Sequence, residues 1–223
     1  ENLEHLDEYL DAMEPAKGIG FLGSLFPRRR KVARSHPDDK AQIKAAAQER
    51  HGGYDKELQE LRREGRIGAV SFGIHPMDLW HRVFAECDVQ AALVHNHYCL
   101  NDTRLLELLP LAAERGIGLI NGSPFASGLL TDRGPADWHP ATAEDRALFR
   151  RAAEHCSRRG VSISQLALQF SSQHPAIPTT LFSSASPESV RRNVKWHAEP
   201  ADPALVAEVR EILRPVLDRD WSS

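Results

Sequence analysis

The sequence predicts an α/β fold with parallel strands, on three observations. From residue 66 onward, apolar runs of strand length alternate with amphipathic segments of helix length. Residues 94–131 read as strand, helix, strand. A strand joined to the next by a helical crossover lies parallel to it. In that central stretch the first run alternates apolar residues with His95 and His97. Leu105, Leu106, Leu108, Leu109 and Leu111 then supply a broad apolar helix face, and Gly116 stands where a capping glycine ends a helix. The second run leads into Asn121-Gly122-Ser123-Pro124-Phe125, at the C-terminal end of a parallel strand, where α/β folds bind ligands.

Taken in order, residues 1–13 carry Leu3, Leu6, Leu10 and Met13 at helical spacing, and Pro15 ends that helix. Gly18, Gly20 and Gly23 satisfy GxGxxG, a motif that needs a strand before it and a helix after it to bring backbone amides to a pyrophosphate. Here a helix precedes and the basic run Arg28-Arg29-Arg30-Lys31 follows, so residues 19–26 read as a glycine-containing strand and the basic run as solvated surface. Asp38 or Asp39 can cap a helix over residues 40–64, broken at Gly52-Gly53. Strands are expected at residues 66–71, 91–98, 117–123 and 179–183. Helices are expected at residues 80–86, 104–115, 144–159, 164–171, 187–195 and 203–217, with Ser162 or Ser164 as a cap.

A net charge of -3 over 223 residues gives no reason to expect nucleic acid or an anionic membrane surface as partner. No apolar run approaches the ~20 residues that span a bilayer, and no signal peptide precedes the first helix. Cys87, Cys99 and Cys156 are an odd, scattered set without CxxC spacing, which argues for a reducing, cytoplasmic location without disulfides or a thiolate zinc site. Glu1 stands where an initiator methionine is usual, so a processed or trimmed product is expected.

The run GIGLINGSPFASGLLTDRGPADWHPA, with LVHNHYCLND before it, resembles the aldo-keto reductase superfamily, and within it the sugar-oxidising group typified by plant L-galactose dehydrogenase. The GPADWHPA tail is shared with that group. The resemblance covers residues 55–197 well and residues 1–54 poorly, with residues 198–223 as a C-terminal helix and tail of the same single domain. It implies a (β/α)8 TIM barrel, typically ~250 residues, here incomplete. The strands at residues 66–71, 91–98, 117–123 and 179–183 take the places of barrel strands five to eight. Residues 19–26 take strand four and residues 1–13 the third barrel helix, and the first three strands have no counterpart. Such a sheet has two bare edges, so the N-terminal segment is expected to cover the gap, or two chains to pair as a homodimer.

The family exchanges hydride between NADP or NAD and a sugar or small carbonyl substrate. It uses a tyrosine as acid/base beside a lysine, an aspartate and a histidine. The tyrosine, lysine and aspartate belong to early strands and find no match here. His36, followed by Pro37-Asp38-Asp39, is the candidate for the histidine. On the cofactor side, Ser71 and His95 fall near the residues that hold the carboxamide. Ser123 and Gly128 approach the pyrophosphate, and Phe125 covers it. Gly122 takes the place of a stacking aromatic, a position that is also small in the L-galactose dehydrogenase group. Ser184, Arg192 and Asn193 match the segment at the adenosine end, with Asn193 at adenine. Ser189 stands where many members carry an arginine, which leaves NADP and NAD both open. Ordinary turn and cap chemistry accounts equally well for the serines.

His95 and His97, two apart on a strand, share one face. A third ligand from His36, His75 or Asp102 would complete a divalent metal site. Interior polar packing is the alternative, because the resembled group carries His97 without a metal. Three readings follow. The first is a nicotinamide-dependent oxidoreductase. The second is a shortened descendant that has lost cofactor and hydride transfer, using His36, His95 and His97 for acid/base elimination, isomerisation or cyclisation. The third is a non-catalytic binding protein.

Overall fold

The computed structural model describes residues 57–184, 186–219 and 221, and contacts divide the chain into two units, Glu1–Glu64 and Gly65–Ser223. Of the first unit, residues 57–63 are helical, within the helix expected over residues 40–64. The helix expected at residues 1–13, the strand at residues 19–26, the basic run and His36 lie outside the described residues.

The second unit is built on four parallel strands in the order β1-β2-β3-β4: β1 (Ser71–Ile74), β2 (Ala91–His95), β3 (Gly118–Gly122) and β4 (Thr179–Leu181). This is the order expected of consecutive strands in a partial barrel. The register pairs Gly73 with Leu93, Leu93 with Ile120 and Ile120 with Thr179, so these residues share one face. His95, Gly122 and Leu181 lie further along that face. Ala92, Val94, Leu119 and Asn121 point to the other side and are buried. Helices cover that side, as crossovers between parallel strands require.

Helix α1 (Met77–Glu86) buries Trp80 and Phe84, with ring centroids 5.7 Å apart, and Arg115 donates to the Phe84 carbonyl. The helix expected over residues 104–115 divides into a 3₁₀ turn, Arg104–Leu108, and α2 (Leu109–Arg115), which packs on β3. Pro110 has no N–H to give the carbonyl four residues back, so the α-helical ladder starts only there. Gly116 ends α2 in the left-handed conformation its position predicts.

A capping box opens α3 (Ala143–Arg158), the Thr142 hydroxyl accepting from the Asp145 N–H and the Asp145 carboxylate accepting from the Thr142 N–H. Ser162 caps α4 (Ile163–Ser172), Ser186 caps α5 (Pro187–His197) and Asp202 caps α6 (Pro203–Ile212). The last helix was expected to reach residue 217, but it gives way to a 3₁₀ turn, Arg214–Val216, around Pro215. Leu100, Leu130, Phe149, Leu166, Leu205 and Leu213 form part of one continuous core among these helices.

Two strand boundaries correct the sequence reading. The strand expected at residues 66–71 begins only at Ser71, because the Val70 N–H is taken by Gln90 Oε1 and its carbonyl by the N–H groups of Gln90 and Ala91. The strand expected at residues 91–98 ends at His95, because Asn96 has φ 62° and turns the chain out of the sheet. His95 and His97 therefore do not share a strand face. Cys87 is half-buried, Cys99 and Cys156 are buried, and none is in a disulfide. Among the described residues no helix is long and apolar enough to cross a membrane.

Candidate functional site

Parallel strands bring their C-terminal ends to one edge of a sheet. His75 follows β1, residues 96–102 follow β2, residues 123–128 follow β3, and residues 184–193 follow β4. Most of the residues singled out in the sequence gather there. Ser71 does not, since it opens β1 and stands at the opposite end of its strand.

The β2 loop is organised by a buried ionic network. His97 and Asp102 side chains are 1 % and 2 % exposed. His97 Nδ1 lies 3.0 Å from Asp102 Oδ2, and Nε2 lies 2.7 Å from the main-chain carbonyl of His75, so each ring nitrogen faces an acceptor. Arg104 completes the network, its Nη2 donating to Asp102 Oδ2 at 2.6 Å and its Nε to both carboxylate oxygens. Burial pushes the Asp102 carboxyl up, yet the hydrogen bonds from His97 and Arg104 outweigh it and hold the group down at about 2. His75 and Asp102 thus serve His97 through a carbonyl and a carboxylate, and among the described residues no three metal-ligating side chains come together. The His75 ring meets His97 edge-on at 5.0 Å.

Backbone strain concentrates beside this network. Asn96, Ser123, Ala126 and Ser127 have φ of 62°, 63°, 47° and 53°, values that cost a side-chain-bearing residue free energy and cluster at functional loops. The Asn96 N–H donates to the Gly122 carbonyl and its side chain to Ser127 Oγ, which ties the β2 and β3 loops together. Gly128 has φ 98°, and a Cβ there would lie 3.1 Å from the Pro135 main chain, so glycine alone fits. Phe125 packs against the helical core. A Cβ on Gly122 would meet His95 Nδ1 at 2.8 Å, so the His95 ring fills the space that a larger residue on β3 would take. Burial, and then the neighbouring His97, pull the His95 pKa down.

At the fourth strand end, the Ser184 hydroxyl accepts from the Ser186 N–H, in the turn that leads to the α5 cap. Arg192 donates to Ser189 Oγ and lies over the Trp196 ring at 5.0 Å. Asn193 is 5 % exposed, and no described residue hydrogen-bonds its side chain. A buried carboxamide with both donor and acceptor to spare fits a flat heteroaromatic edge that carries both.

A cavity of about 220 Å³ opens at the same edge. Its walls are the β2 loop (Asn96, Asn101), the β3 loop (Trp138, His139) and the C-terminal tail (Arg219, Trp221). The tail is pinned from both sides. Asp218, at φ 56°, donates its N–H to the Asn101 carbonyl at 2.7 Å and accepts from the Thr103 N–H. Arg219 Nη1 donates to Asp145 Oδ1 at 2.6 Å, and Trp221 packs on Phe149 and His139. Sequence reasoning passed over Arg104, Asn101, Asp145, His139 and Arg219. A capping signal, Thr142 followed three residues later by Asp145, was there to be read; the long-range pairings leave none.

The chain matches the Aldo/keto reductase family over residues 36–214. It is 36 % identical over 173 residues to L-galactose dehydrogenase of Arabidopsis thaliana, covering 74 % of this chain and 54 % of that protein. It is 33 % identical over 150 residues to pyridoxal 4-dehydrogenase of Microbacterium luteolum, covering 65 % of this chain and 44 % of that one. The chain thus spans about half the length of these curated relatives. Among solved structures, the holo form of aldo-keto reductase AKR11C1 from Bacillus halodurans superposes with a TM-score of 0.54 at 21 % identity, over 74 % of this chain and 53 % of that one. Glycerol dehydrogenase AKR11B4 from Gluconobacter oxydans gives 0.54 at 19 %, over 75 % and 55 %. At such identities the structures speak for the fold.

Proposed function

Because the chain belongs to the aldo/keto reductase family, we propose that it provides the cofactor-holding part of an NAD(P)-dependent oxidoreductase acting on a sugar or a similarly small carbonyl or hydroxyl substrate. The observation that carries the proposal is Asn193, a buried carboxamide without a hydrogen-bond partner among the described residues, in the helix that follows β4, while the strained loop Ser123–Gly128 follows β3. A bound nicotinamide would supply or accept the hydride. In this reading Asn193 and Arg192 hold the adenosine end, and Ser184 shapes the turn before them. Ser123, Phe125 and Gly128 hold the path of the β3 loop against the diphosphate, with the close backbone approach that Gly128 permits. His95 lies on the open sheet face between Gly73 and Gly122 and lines the floor of the site. His97 is a positioning residue, since both its nitrogens are engaged in fixing the β2 loop. Residues 1–223 make a single domain in this reading, and His36 is the candidate proton donor and acceptor.

The reading extends to a cytoplasmic protein, with a homodimer closing across the outer edges of β1 and β4, which meet no further strand among the described residues. Its test is a titration of the whole chain with NADPH and NADH, followed by nucleotide fluorescence. Saturable binding is expected, weakened about tenfold in Asn193→Ala, the size of one or two lost hydrogen bonds. An absence of binding up to millimolar nucleotide would sink it and return the acid/base reading of the histidines.

A further inference from the structure

The cavity between the β2 loop, the β3 loop and the tail has an uneven supply of hydrogen-bonding groups. Its acidic residue is already satisfied, because Asp102 accepts from His97 and from three N–H groups of Arg104, one of them main-chain. Its donors are not. Arg219 spends Nη1 on Asp145, and its remaining N–H groups meet no acceptor among the described residues. His139 is 7 % exposed, and its Nδ1 accepts the Ala141 N–H at 3.1 Å, which fixes the ring hydrogen on Nε2; that N–H has no acceptor among the described residues. Asn101 is 2 % exposed, and its amide orientation is set by Cys99. Burial, helped by the Asp102 charge, pushes the Cys99 thiol up to about 12, so the sulfur keeps its hydrogen and donates to Asn101 Oδ1 at 3.4 Å. The Asn101 Nδ2 group is left without an acceptor among the described residues.

Three donors from three separate segments therefore border one cavity, two of them on nearly buried side chains and one cationic. Donors that border a cavity without a protein acceptor are open to a ligand that offers acceptors. At about 220 Å³ the space lies below the ~300–1,000 Å³ of pockets for drug-sized ligands, which limits the occupant to roughly the size of one sugar unit. Trp138, 75 % exposed, and Trp221 give it aromatic walls of the kind that cover the apolar face of a sugar ring.

We propose that this cavity binds the oxyanion of a small polyhydroxylated molecule, a sugar carboxylate or sugar phosphate, between Arg219, His139 and Asn101. The site discriminates by charge, taking acid sugars over neutral ones, whether as substrate, product or inhibitor. It does not depend on hydride transfer and is tested without nucleotide, so failure of the NADPH titration leaves it standing.

The experiment is a titration of the full chain at constant ionic strength with sodium gluconate, glucose 6-phosphate and sorbitol, read by tryptophan fluorescence, because Trp138 and Trp221 form the wall. One of the two anions is expected to bind at least about tenfold more tightly than sorbitol. Which anion binds better tells a carboxylate site from a phosphate site. Arg219→Gln and His139→Phe should each abolish the preference of the anion over sorbitol. Should Arg219→Gln loosen the tail, seen as a lower melting temperature, His139→Phe and Asn101→Leu carry the test. Equal affinity for all three compounds, or a preference that survives in His139→Phe and Asn101→Leu, overturns the proposal.

Discussion

Asp102→Ala is expected to remove about 3–5 kcal/mol of stability, a large share of the ~5–15 kcal/mol a domain has to lose. The carboxylate is almost fully buried and is the common acceptor of the His97 ring and of the Arg104 side chain and main-chain N–H. Deleting it leaves a guanidinium and an imidazole facing each other without their common acceptor, and removes the tie between the two ends of the β2 loop. The same residue sets a pH dependence. Its folded carboxyl sits at about 2 against an ordinary 3.8, so the stability it contributes is present above pH ~4 and is lost as pH falls through about 2. That contribution is about 2 kcal/mol. Urea melts of both proteins between pH 7 and pH 2 check this. The wild type should weaken toward acid more steeply than Asp102→Ala, and a loss below ~1 kcal/mol at pH 7 would mean that the network is ornamental.

Asp145→Ala should have the second largest effect, about 2–3 kcal/mol, because one carboxylate does two jobs. It closes the capping box at the start of α3, and it receives Arg219 and Trp221 from the tail. Burial raises its pKa, but the Thr142 N–H, Trp221, the Thr142 hydroxyl and Arg219 together hold it below the usual carboxylate range. The depressed value again means a contribution present above the ordinary carboxyl pKa and lost on acidification. Hydrogen exchange separates the two jobs. Faster exchange is expected both in the first turn of α3 and at residues 217–219. Thr142→Ala should loosen the helix start while leaving the tail protected. Unchanged protection of the tail in Asp145→Ala would show that packing of Trp221 on Phe149 holds it unaided.

How much of this was legible in the sequence depends on the range over which the physics acts. Strand and helix periodicity is local, and the strands at Ala91–His95, Gly118–Gly122 and Thr179–Leu181 were expected from it, whereas Ser71–Ile74 meets the strand expected at residues 66–71 only at Ser71. The caps at Ser162 and Gly116 were expected as well. Boundaries failed where a single residue overrode the pattern: Asn96 turned left-handed inside an apolar run, and Pro110 split a helix of good composition. The site was half legible. Asn193 and the Ser123–Gly128 loop stood out through resemblance, because their spacing is local. Arg219 and Asp145 are 74 residues apart, and His97 meets the backbone of His75 across a whole helix. No spacing rule encodes such meetings, which are consequences of parallel strands delivering their loops to one edge. The shared strand face expected of His95 and His97 is lost for the same reason as the strand end, since the left-handed Asn96 stands between them, and among the described residues no three metal-ligating side chains come together.

The chain's cysteines make it easy to instrument. Cys99 and Cys156 are buried, their thiols raised by burial to about 12 and about 11, so at neutral pH neither offers the thiolate that alkylating reagents attack. Cys87 is more accessible and ends α1 just before β2, at the edge of the sheet opposite the ligand loops. A dye or spin label attached there reports from a fixed point on the scaffold without touching the cavity or the nucleotide path. Unmodified protein thereby comes with its own single anchoring point for distance measurements on the tail.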